Sequence, residues 1–534
     1  MSYSLGIEFS TQSVKLVALD LNTGSISFSD SFNYDQVFPE YKTEGGVLPS
    51  DSPEIRHTSP FMLIEAIDLA FKRLSEKDID ISLIKAVKCD GMQHCTVYVN
   101  SSFGKTISSL DPGRNLLKQI SPCISRTASP IWEDRSTVKE AKYLTDSLKI
   151  EGGILNITGN RAELRFPASQ ILKWAKENSK EYENTSNIFI LSAFITSILS
   201  GKISAVDTGD GWGANLNSLD IDNPGWSDKV ISVMDRYLEK IGINSSISTK
   251  IGDMGHYDSL AGYINPYFSK KYGIAADTAI LTGTGDNPAT LLGCGGNIVV
   301  SLGSSYTVNG VMKKIVPSEN EEYNVFGYTK GTAMALSVIT NGGKVQDHFL
   351  KKYILKSENR SPDGSDWQKY LNMAGDIRLS IDEKLLLPYL LDESVPLRKK
   401  GIIRGDFPEK YAGVNIRALI LSQALSLRLH SNHLGNVKDL CVVGGGTGNI
   451  IMMQWIADAF GAKTYTIENP TVAAPLGCAI SAAVKRLNIS YEEAAKRFVR
   501  KDPSSLRKPI AENAKIMQGL VKRYHELENR NKKI

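Results

Sequence analysis

The sequence predicts an α/β protein built of two related halves. A strand–turn–strand pattern opens the chain over residues 5–29, and a similar pattern returns over 298–314. The segment 441–460 reads as a strand, a glycine turn and a helix. The chain has 534 residues, more than one ordinary core holds, which favours two to four domains.

The elements follow in order along the chain. The opening segment predicts a meander of three antiparallel strands with turns at 10–13 and 22–24. A helix over 60–74 and a strand over 84–89 come next, and the strand runs into GMQH. Two helical stretches are predicted within 161–201, with 188–199 as a buried helix. Further helices are predicted over 227–241, from about 341, over 414–434 and over 509–534.

Composition excludes several classes of partner. Apolar residues make up 42% of the chain and charged residues 22%, and 62 basic residues face 58 acidic ones. This balance argues against a nucleic-acid or membrane partner. The first residues, MSYSLGIEFS, lack the features of a secretory signal. The six cysteines form no CxxC pair, which is typical of reduced thiols, and we expect a cytoplasmic protein.

Three small-residue turns are candidates for binding phosphate. Ser10-Thr11-Gln12-Ser13 and Gly303-Ser304-Ser305 are hydroxyl-rich turns between strands, where backbone N–H groups and hydroxyls can hold phosphate oxygens. The turn 444–449 joins a strand to a helix, and its glycines allow close approach of a ligand. It is neither GxGxxG nor a Walker A motif. Each of these turns, taken alone, is as typical of a plain structural turn as of a phosphate-binding site.

Two acids stand out from their surroundings. Glu8 lies in an apolar strand, so it either points to solvent or faces a cleft and serves a magnesium ion, directly or through water. Asp286 precedes Asn287 and Pro288, which suit the N-cap and first turn of a helix. Asp286 then lies one step outside the helix, where it should stay ionised and can accept a proton from a hydroxyl.

Other polar residues remain open between structural and binding roles. His94 follows a predicted strand, where ligand groups often gather. Arg161 and Arg165 are four apart and would share a helix face, suited to a polar ligand or to a structural ion pair. His430 and His433 could share a face as well, and such a pair without nearby acids is typical of a structural role.

Taken together, these segments resemble the FGGY carbohydrate kinases. The resemblance rests on LGIEFSTQSVKLVALD, GMQH, IWEDRST, TGNRAELRF, TGDGWGANL, GDN, VSLGSS and VGGGTGN, which occur in family order over nearly the whole chain. The most similar branch is the eukaryotic one that acts on D-xylulose. Three positions depart from the family pattern: Glu8 replaces Asp, Cys95 replaces a Gly and is expected to crowd the sugar pocket, and GGGTGN replaces a Gly-Gly-Ala-Ser form.

The resemblance implies two RNase-H-like domains of the sugar kinase–Hsp70–actin type, 1–296 and 297–534, flanking a deep cleft. It implies ATP-dependent phosphorylation of D-xylulose, with Asp286 as general base and magnesium served by Glu8 through water. The sugar residues would be Gln93, His94, Arg165, Asp286 and Asn287. The ATP and phosphate residues would be Ser10, Thr11, Gln12, Gly303, Ser304, Ser305, Trp367, Gly445, Gly446 and Asn449.

Two alternatives stay open at this point. The acceptor is another ketose or a polyol, such as ribulose, since these sugars differ by little more than the configuration of a hydroxyl. Alternatively, the protein is a catalytically weak, regulatory ATP-binding member of the same fold, which Glu8 favours and the intact Gly285-Asp286-Asn287 opposes. The oligomeric state is not predicted.

Overall fold

The computed structural model describes residues 1–531 except 78 and 330. Its strands are β1 (Tyr3–Phe9), β2 (Ser13–Asp20), β3 (Ile26–Asn33), β4 (His57–Thr58), β5 (Ile84–Gly91), β6 (Thr96–Val99), β7 (Ser129–Pro130), β8 (Asn187–Ile190), β9 (Val206–Asp207), β10 (Met254–Gly255), β11 (Leu260–Tyr263), β12 (Ala279–Leu281), β13 (Thr284–Gly285), β14 (Ile298–Leu302), β15 (Tyr306–Met312), β16 (Asn324–Gly327), β17 (Ala333–Ile339), β18 (Leu386–Tyr389), β19 (Gly401–Arg404), β20 (Asp439–Val443) and β21 (Lys463–Tyr465).

The α-helices are α1 (Tyr34–Val37), α2 (Pro60–Ser75), α3 (Phe103–Ser108), α4 (Leu116–Ile120), α5 (Val138–Leu148), α6 (Ile154–Thr158), α7 (Pro167–Glu177), α8 (Ser179–Asn184), α9 (Leu191–Ser200), α10 (Thr208–Gly211), α11 (Asp228–Lys240), α12 (Pro266–Tyr272), α13 (Asp286–Gly293), α14 (Gly343–Leu350), α15 (Gly364–Ala374), α16 (Ala412–Leu429), α17 (Ile450–Phe460), α18 (Ala473–Leu487), α19 (Tyr491–Phe498) and α20 (Ala511–Arg530).

Two mixed sheets that share a core of five strands with the same arrangement organise the chain. In the first, β1, β2 and β3 form an antiparallel meander, and β5 and β12 continue the sheet in parallel on the other side of β1. In the second, β14, β15 and β17 form the meander, and β20 and β21 continue it in parallel beside β14. Three antiparallel strands followed by two parallel ones is the RNase-H-like arrangement, so the prediction of two related halves is confirmed.

Helices α13 and α18 tie the two halves together under the first sheet. Strand β1 is buried on both faces, as expected for a strand at the centre of a covered sheet. Helix α18 belongs to the second half of the chain, yet it packs on β1, β2 and β5 and on α13. Its backbone comes so close that a Cβ on Gly6 would lie 1.8 Å from the carbonyl oxygen of Pro475.

Most predicted elements are confirmed, and three differ. Residues 187–190 form β8, which pairs with β6, so only the rest of the predicted buried helix is helical, as α9. The segment 161–166 is not helical, because α7 begins at Pro167, and proline suits the first position of a helix. Helix α16 ends at Leu429, before His430.

The tail helix α20 packs on the second half instead of standing free in solvent. It contacts α16 and α17 and buries Met517, Leu520 and Tyr524. The predicted helix ran to residue 534, and its last three residues lie outside the described part. All six cysteines are free and buried. No helix within the described ranges is long and apolar enough to cross a membrane.

Candidate active site

Three carboxyl groups gather at the ends of neighbouring parallel strands. Glu8 on β1 is the register partner of Asp90 on β5, and Asp90 is in turn the partner of Thr284 on β13, two residues before Asp286. Register partners on parallel strands lie about 4.8 Å apart with their side chains on the same face. Three strand ends therefore bring these acids to one edge of the sheet, although they are far apart in sequence.

Glu8 is buried and paired with a lysine. Only 7% of the residue is exposed, so the alternative that it points to solvent is wrong. Its Oε2 accepts a hydrogen bond of 2.8 Å from Nζ of Lys15, which lies opposite it on β2. Lys15 compensates the negative charge of Glu8 and keeps this carboxylate from being an unpaired buried charge.

Asp286 is the first residue of α13, and Gly285 is the N-cap. The prediction that Asn287 caps this helix is wrong, because the Asn287 amide Nδ2 donates to Gln93 Oε1 at 2.8 Å and to Asp286 Oδ1 at 3.0 Å. Burial and the negative charge of Glu8 raise the pKa of Asp286 to about 7, against hydrogen bonds from the backbone of Asn287 and Gln93. The expectation of a fully ionised carboxylate is therefore corrected: burial outweighs the helix end.

Gln93 joins Asp286 through Asn287 and also reaches the segment after β9. Its Nε2 donates to the carbonyl of Gly209 at 3.2 Å. A Cβ on Gly285 would lie 2.5 Å from Cγ of Gln93, so the glycine of the GDN motif leaves room for this side chain. Gln93 is buried, and its contacts fix the amide of Asn287 beside the Asp286 carboxyl.

His94 lies next to this group as a neutral ring. Its backbone is left-handed, with φ of 69°, and the imidazole stacks on Phe166 with ring centroids 4.2 Å apart. Burial, helped by the charge of Arg165, lowers the pKa of His94 to about 3. Nδ1 lies 2.9 Å from the carbonyl of Gly213, and a carbonyl only accepts, so Nδ1 carries the proton. Nε2 is then an acceptor for a hydroxyl.

Arg165 is held at the edge of the same group. Its Nη1 lies 3.5 Å from Glu163 Oε2, and its Nη2 donates to Asn324 Oδ1 at 3.3 Å. Its guanidinium carbon lies 5.6 Å from the centre of the Phe166 ring, the ring on which His94 stacks. Arg161 pairs with Glu163 and Glu321. The expected shared helix face is wrong, because this segment is not helical.

The first hydroxyl-rich turn borders an open cavity of about 510 Å³. Trp132 donates its indole N–H to Thr11 Oγ1 at 3.0 Å, and Ser10 Oγ donates to the carbonyl of Ser13 at 2.8 Å. The cavity is lined by Ser10, Thr11, Gln12, Ser13, Lys15, Glu44, Gly45, Val47, Trp132 and Glu133. Hydroxyls and one lysine amine thus face a space that suits phosphate oxygens.

The second hydroxyl-rich turn and the glycine turn lie close together. Gly303, Ser304 and Ser305 follow β14, and the carbonyls of Gly303 and Ser304 accept from the backbone at the start of α14. A Cβ on Gly446 would lie 2.7 Å from Cβ of Leu302, the last residue of β14, whereas Gly445 faces open space. The turn 303–305 and the glycine turn, which the sequence analysis named as separate phosphate-binding candidates, therefore meet at one end of the second sheet.

Asn449 and Trp367 are partly committed to packing. Asn449 is the N-cap of α17: its Oδ1 accepts from the backbone of Met452 at 2.9 Å, and its Nδ2 donates to Gln346 Oε1 at 3.2 Å. The Trp367 ring packs against Tyr370 with centroids 5.5 Å apart. The nucleotide roles assigned to these two residues remain predictions.

Four residues of this region were not predicted as functional: Lys15, Asp90, Trp132 and Asn324. Asp90 offered a signal like that of Glu8, a carboxylate within the apolar strand AVKCDG. Trp132 lies in the quoted motif IWEDRST but was given no role. Cys95 is fully buried in the core of the first half. The expectation that it crowds the sugar pocket stays a prediction.

The fold and the site define a class of protein. Two RNase-H-like sheets, each with a hydroxyl-rich turn between its first two strands, and an acid at the start of a helix beside them are typical of the sugar kinase–Hsp70–actin type. Sequence models of the FGGY family of carbohydrate kinases match the chain, the N-terminal domain over residues 3–293 and the C-terminal domain over 298–486. The chain belongs to this family.

Curated relatives cover nearly the whole chain. Xylulose kinase from Rattus norvegicus is 29% identical, over 98% of this chain and 96% of its own length. Xylulose kinase 2 from Arabidopsis thaliana is 29% identical, over 90% of this chain and 87% of its own length. The solved structure of a xylulose kinase from Rhodospirillum rubrum superposes with a TM-score of 0.81 at 14% identity and covers 99% of this chain and 98% of that one. At that identity it supports the fold alone.

Proposed function

We propose that this carbohydrate kinase transfers the terminal phosphoryl group of ATP to O5 of D-xylulose. The observation that carries the proposal is the position of Asp286, at the start of α13 and bonded to Asn287, in a chain whose full-length relatives are xylulose kinases. Asp286 accepts the proton of the attacking hydroxyl, and a base with a pKa near the working pH suits that task.

The sugar lies among Gln93, His94, Arg165 and Asn287 in this proposal. Nε2 of the neutral His94 accepts from a sugar hydroxyl, while Arg165 and the Asn287 amide donate to sugar oxygens. Phosphoryl transfer depends mainly on positioning and on stabilising charge. The buried bonds that fix Asn287 and the stack that fixes His94 supply such positioning.

The phosphates of ATP lie against Ser10, Thr11, Gln12, Gly303, Ser304 and Ser305, and the nucleoside lies near Gly445, Gly446, Asn449 and Trp367. The absence of a side chain at Gly445, which faces open space, supports close approach of a nucleotide there. We assign the two domains to residues 1–296 and 297–534. The six free cysteines support a reducing compartment, the cytoplasm.

The residues present fit a magnesium ion that is bound chiefly through phosphate. No group of three or more His, Cys, Asp or Glu residues within the described ranges is arranged to hold a metal by itself. Mg²⁺ in kinases is usually held by one or two carboxylates together with substrate phosphates and water. Glu8, which is buried beside Asp286, would supply such a carboxylate through water. The ion would neutralise charge on the transferring phosphoryl group.

A different acceptor is the second candidate. The sugar-binding side chains hold hydroxyls and do not by themselves distinguish D-xylulose from another ketose or a polyol such as ribulose. The regulatory alternative is less well supported, because a protein that only binds ATP has no need of the buried bonds that place Asn287 beside Asp286.

The test measures ATP consumption by the purified protein with magnesium, across a panel of ketoses and polyols and without sugar. Asp286→Asn is assayed beside the wild type, and chelation of magnesium forms a further arm. We expect turnover with D-xylulose that the variant loses by roughly 10²-fold or more while ATP still binds. Turnover with another sugar but not with D-xylulose makes that sugar the proposed acceptor. No turnover with any sugar, despite ATP binding, supports the regulatory alternative.

A further inference from the structure

We propose that Asn324, which the second half of the chain contributes, is a positioning residue that sets the affinity for the sugar by holding Arg165. This inference rests on the proposed function. Asn324 is the first residue of β16, the edge strand of the second sheet. It lies 159 positions from Arg165 in the sequence, and none of the family motifs quoted above contains it.

Asn324 contacts three polar side chains of the sugar-binding segment at once. Its Oδ1 accepts from Arg165 Nη2 at 3.3 Å, and its Nδ2 donates to Glu163 Oε1 at 3.3 Å and to Asn160 Oδ1 at 3.2 Å. Asn324 and Glu163 are both buried. The amide therefore uses its acceptor on the arginine and its donors on the residues that surround that arginine.

Strand β16 is itself hydrogen-bonded to the first half through Asn160. The backbone N–H of Val325 donates to Asn160 Oδ1 at 2.8 Å, and Asn160 Nδ2 donates back to the carbonyl of Val325 at 2.9 Å. A Cβ on Gly327 would lie 2.2 Å from Cβ of Thr208, the first residue of α10. This close packing fixes the position of Asn324 relative to the segment 208–213, which also contacts Gln93 and His94.

Asn324 matters to Arg165 because the other contacts of this arginine do not fix the orientation of its guanidinium. The side chain is 28% exposed, and Glu163 lies 3.5 Å away at a single nitrogen. Arginine has many rotamers, and ordering it at the moment of binding weakens binding. Asn324 adds a second contact at the other terminal nitrogen, so the guanidinium is oriented before the sugar arrives.

The arrangement makes sugar affinity depend on how the two halves meet. Arg165 belongs to the first half, and one of its two polar anchors belongs to the second. A movement that carries β16 away from the 160–165 segment would release Arg165, whereas Asp286 and Asn287 are bonded to Gln93 within the first half. The affinity element therefore depends on β16, whereas the bonds that place Asn287 beside Asp286 do not involve this strand.

The experiment is a double-mutant cycle read as Michaelis constants. Asn324→Leu keeps the size of the side chain and removes its hydrogen bonds, and Arg165→Met keeps the stem over Phe166. Both variants and their combination are assayed with D-xylulose and with ATP. Glu321→Gln is the matched control, because it weakens the neighbouring Arg161 contact between the same two segments without touching Arg165. Asn324→Ser replaces the leucine variant should that one not be recovered folded, which thermal unfolding reports.

We expect Asn324→Leu to raise the sugar KM roughly tenfold with kcat and the ATP KM changed by less than about threefold. In the Arg165→Met background the same change should add less than about twofold. If Asn324→Leu leaves the sugar KM unchanged, or raises it tenfold in the Arg165→Met background as well, the inference is overturned. The proposed function would then still stand. Wild-type protein that phosphorylates no sugar overturns the proposed function first, so the two failures are told apart.

Discussion

Glu8 and Asp90 are register partners on the adjacent parallel strands β1 and β5, and both side chains are buried. Within the part of the chain that the structure describes, the two carboxyls differ in their partners. Lys15 bonds to Glu8, whereas Asp90 accepts a single bond of 3.3 Å, from the thiol of Cys478 on α18. The other oxygen of Asp90 has no partner within the described residues. The structure therefore places a carboxyl that is paired with a lysine beside one whose pKa burial raises well above its usual value.

Asp90→Asn should be tolerated because the native carboxyl is buried beside two other acids, which disfavours its charged form. Burial, then the charges of Glu8 and Asp286, raise the pKa of Asp90 well above its usual value. Asparagine has the same shape and no charge, so we expect a melting temperature at or above that of the wild type and a kcat within about threefold. Thermal unfolding and steady-state kinetics measure both. A kcat lowered by roughly 10²-fold in a folded variant would mean that an ionised Asp90 takes part in the reaction.

Glu8→Asp should retain or improve activity. The family usually has aspartate here, and the shorter side chain keeps the charge opposite Lys15 on β2. We expect kcat within about threefold of the wild type or higher, with a changed magnesium requirement as the more sensitive readout, measured by titrating the metal at saturating ATP. Glu8→Gln is the control, since it keeps the length and removes the charge. Complete loss of activity in Glu8→Asp would show that the longer side chain is specifically required.

The fold was predictable because its signals are local. Runs of apolar residues broken by small turns mark the two meanders, and the strand–glycine–helix pattern marks β20 and α17. Asp286 was found because a carboxylate is unusual in such a segment. Lys15 and Asn324 gain their meaning from strand register or from contacts across the two halves. A sequence read one segment at a time holds no signal for such partners.

Local reading also fails where burial decides the chemistry. The proximity of a helix end predicts that Asp286 is ionised, and the cap preference of asparagine predicts that Asn287 begins the helix. In the structure a buried Gln93 takes the Asn287 amide, and Glu8 opposes the charge of Asp286. Both effects come from residues remote in sequence, Gln93 in the turn after β5 and Glu8 on β1.

Gly477→Ala should damage both stability and activity because α18 crosses α13 at this glycine. A Cβ there would lie 1.9 Å from the carbonyl oxygen of Ala289, so the two helices would have to separate. Since α13 begins with Asp286, we expect a loss of several kcal/mol in the free energy of unfolding and a kcat lowered by roughly tenfold or more. The reciprocal contact, Gly293 against the carbonyl of Ala473, is equally close.

Gly519→Ala is the matched control for that prediction. Gly519 lies within α20, and a Cβ there would meet nothing within 4 Å. Alanine favours a helix over glycine by up to about 1 kcal/mol, so this variant should gain a little stability and keep full activity. Thermal unfolding and kcat are measured for both variants. Equal behaviour of the two would contradict the close helix crossing.

His430 should make the stability of the second half depend on pH. It is buried and bridges two carboxylates, with Nδ1 3.0 Å from Glu322 and Nε2 3.2 Å from Glu528 on α20, to which Tyr389 also donates. Burial disfavours the charged ring, but the two carboxylates outweigh burial and raise the pKa of His430 to about 9. Despite the lack of acids near it in the sequence, the structural role expected for this histidine agrees with these contacts.

The direction of the pH effect follows from that shift. A histidine with a pKa of about 9 in the folded state and about 6.5 when unfolded contributes stability that is fully present below pH about 6.5. The contribution is lost as the pH rises through about 9. The shift corresponds to about 3 kcal/mol, so His430→Gln should lower the melting temperature clearly at pH 6 and much less at pH 10.

His433→Gln provides the comparison for this prediction. Burial lowers the pKa of His433 to about 4, so its ring is neutral throughout the range tested, and it stacks on Tyr323 with ring centroids 4.0 Å apart. Its replacement should lower the melting temperature less at pH 6 than at pH 10, opposite to His430→Gln, because at pH 6 the unfolded ring gains a proton that the buried ring does not. A difference between wild type and His430→Gln that stays constant or grows as the pH rises would mean that His430 is not held as a cation between Glu322 and Glu528.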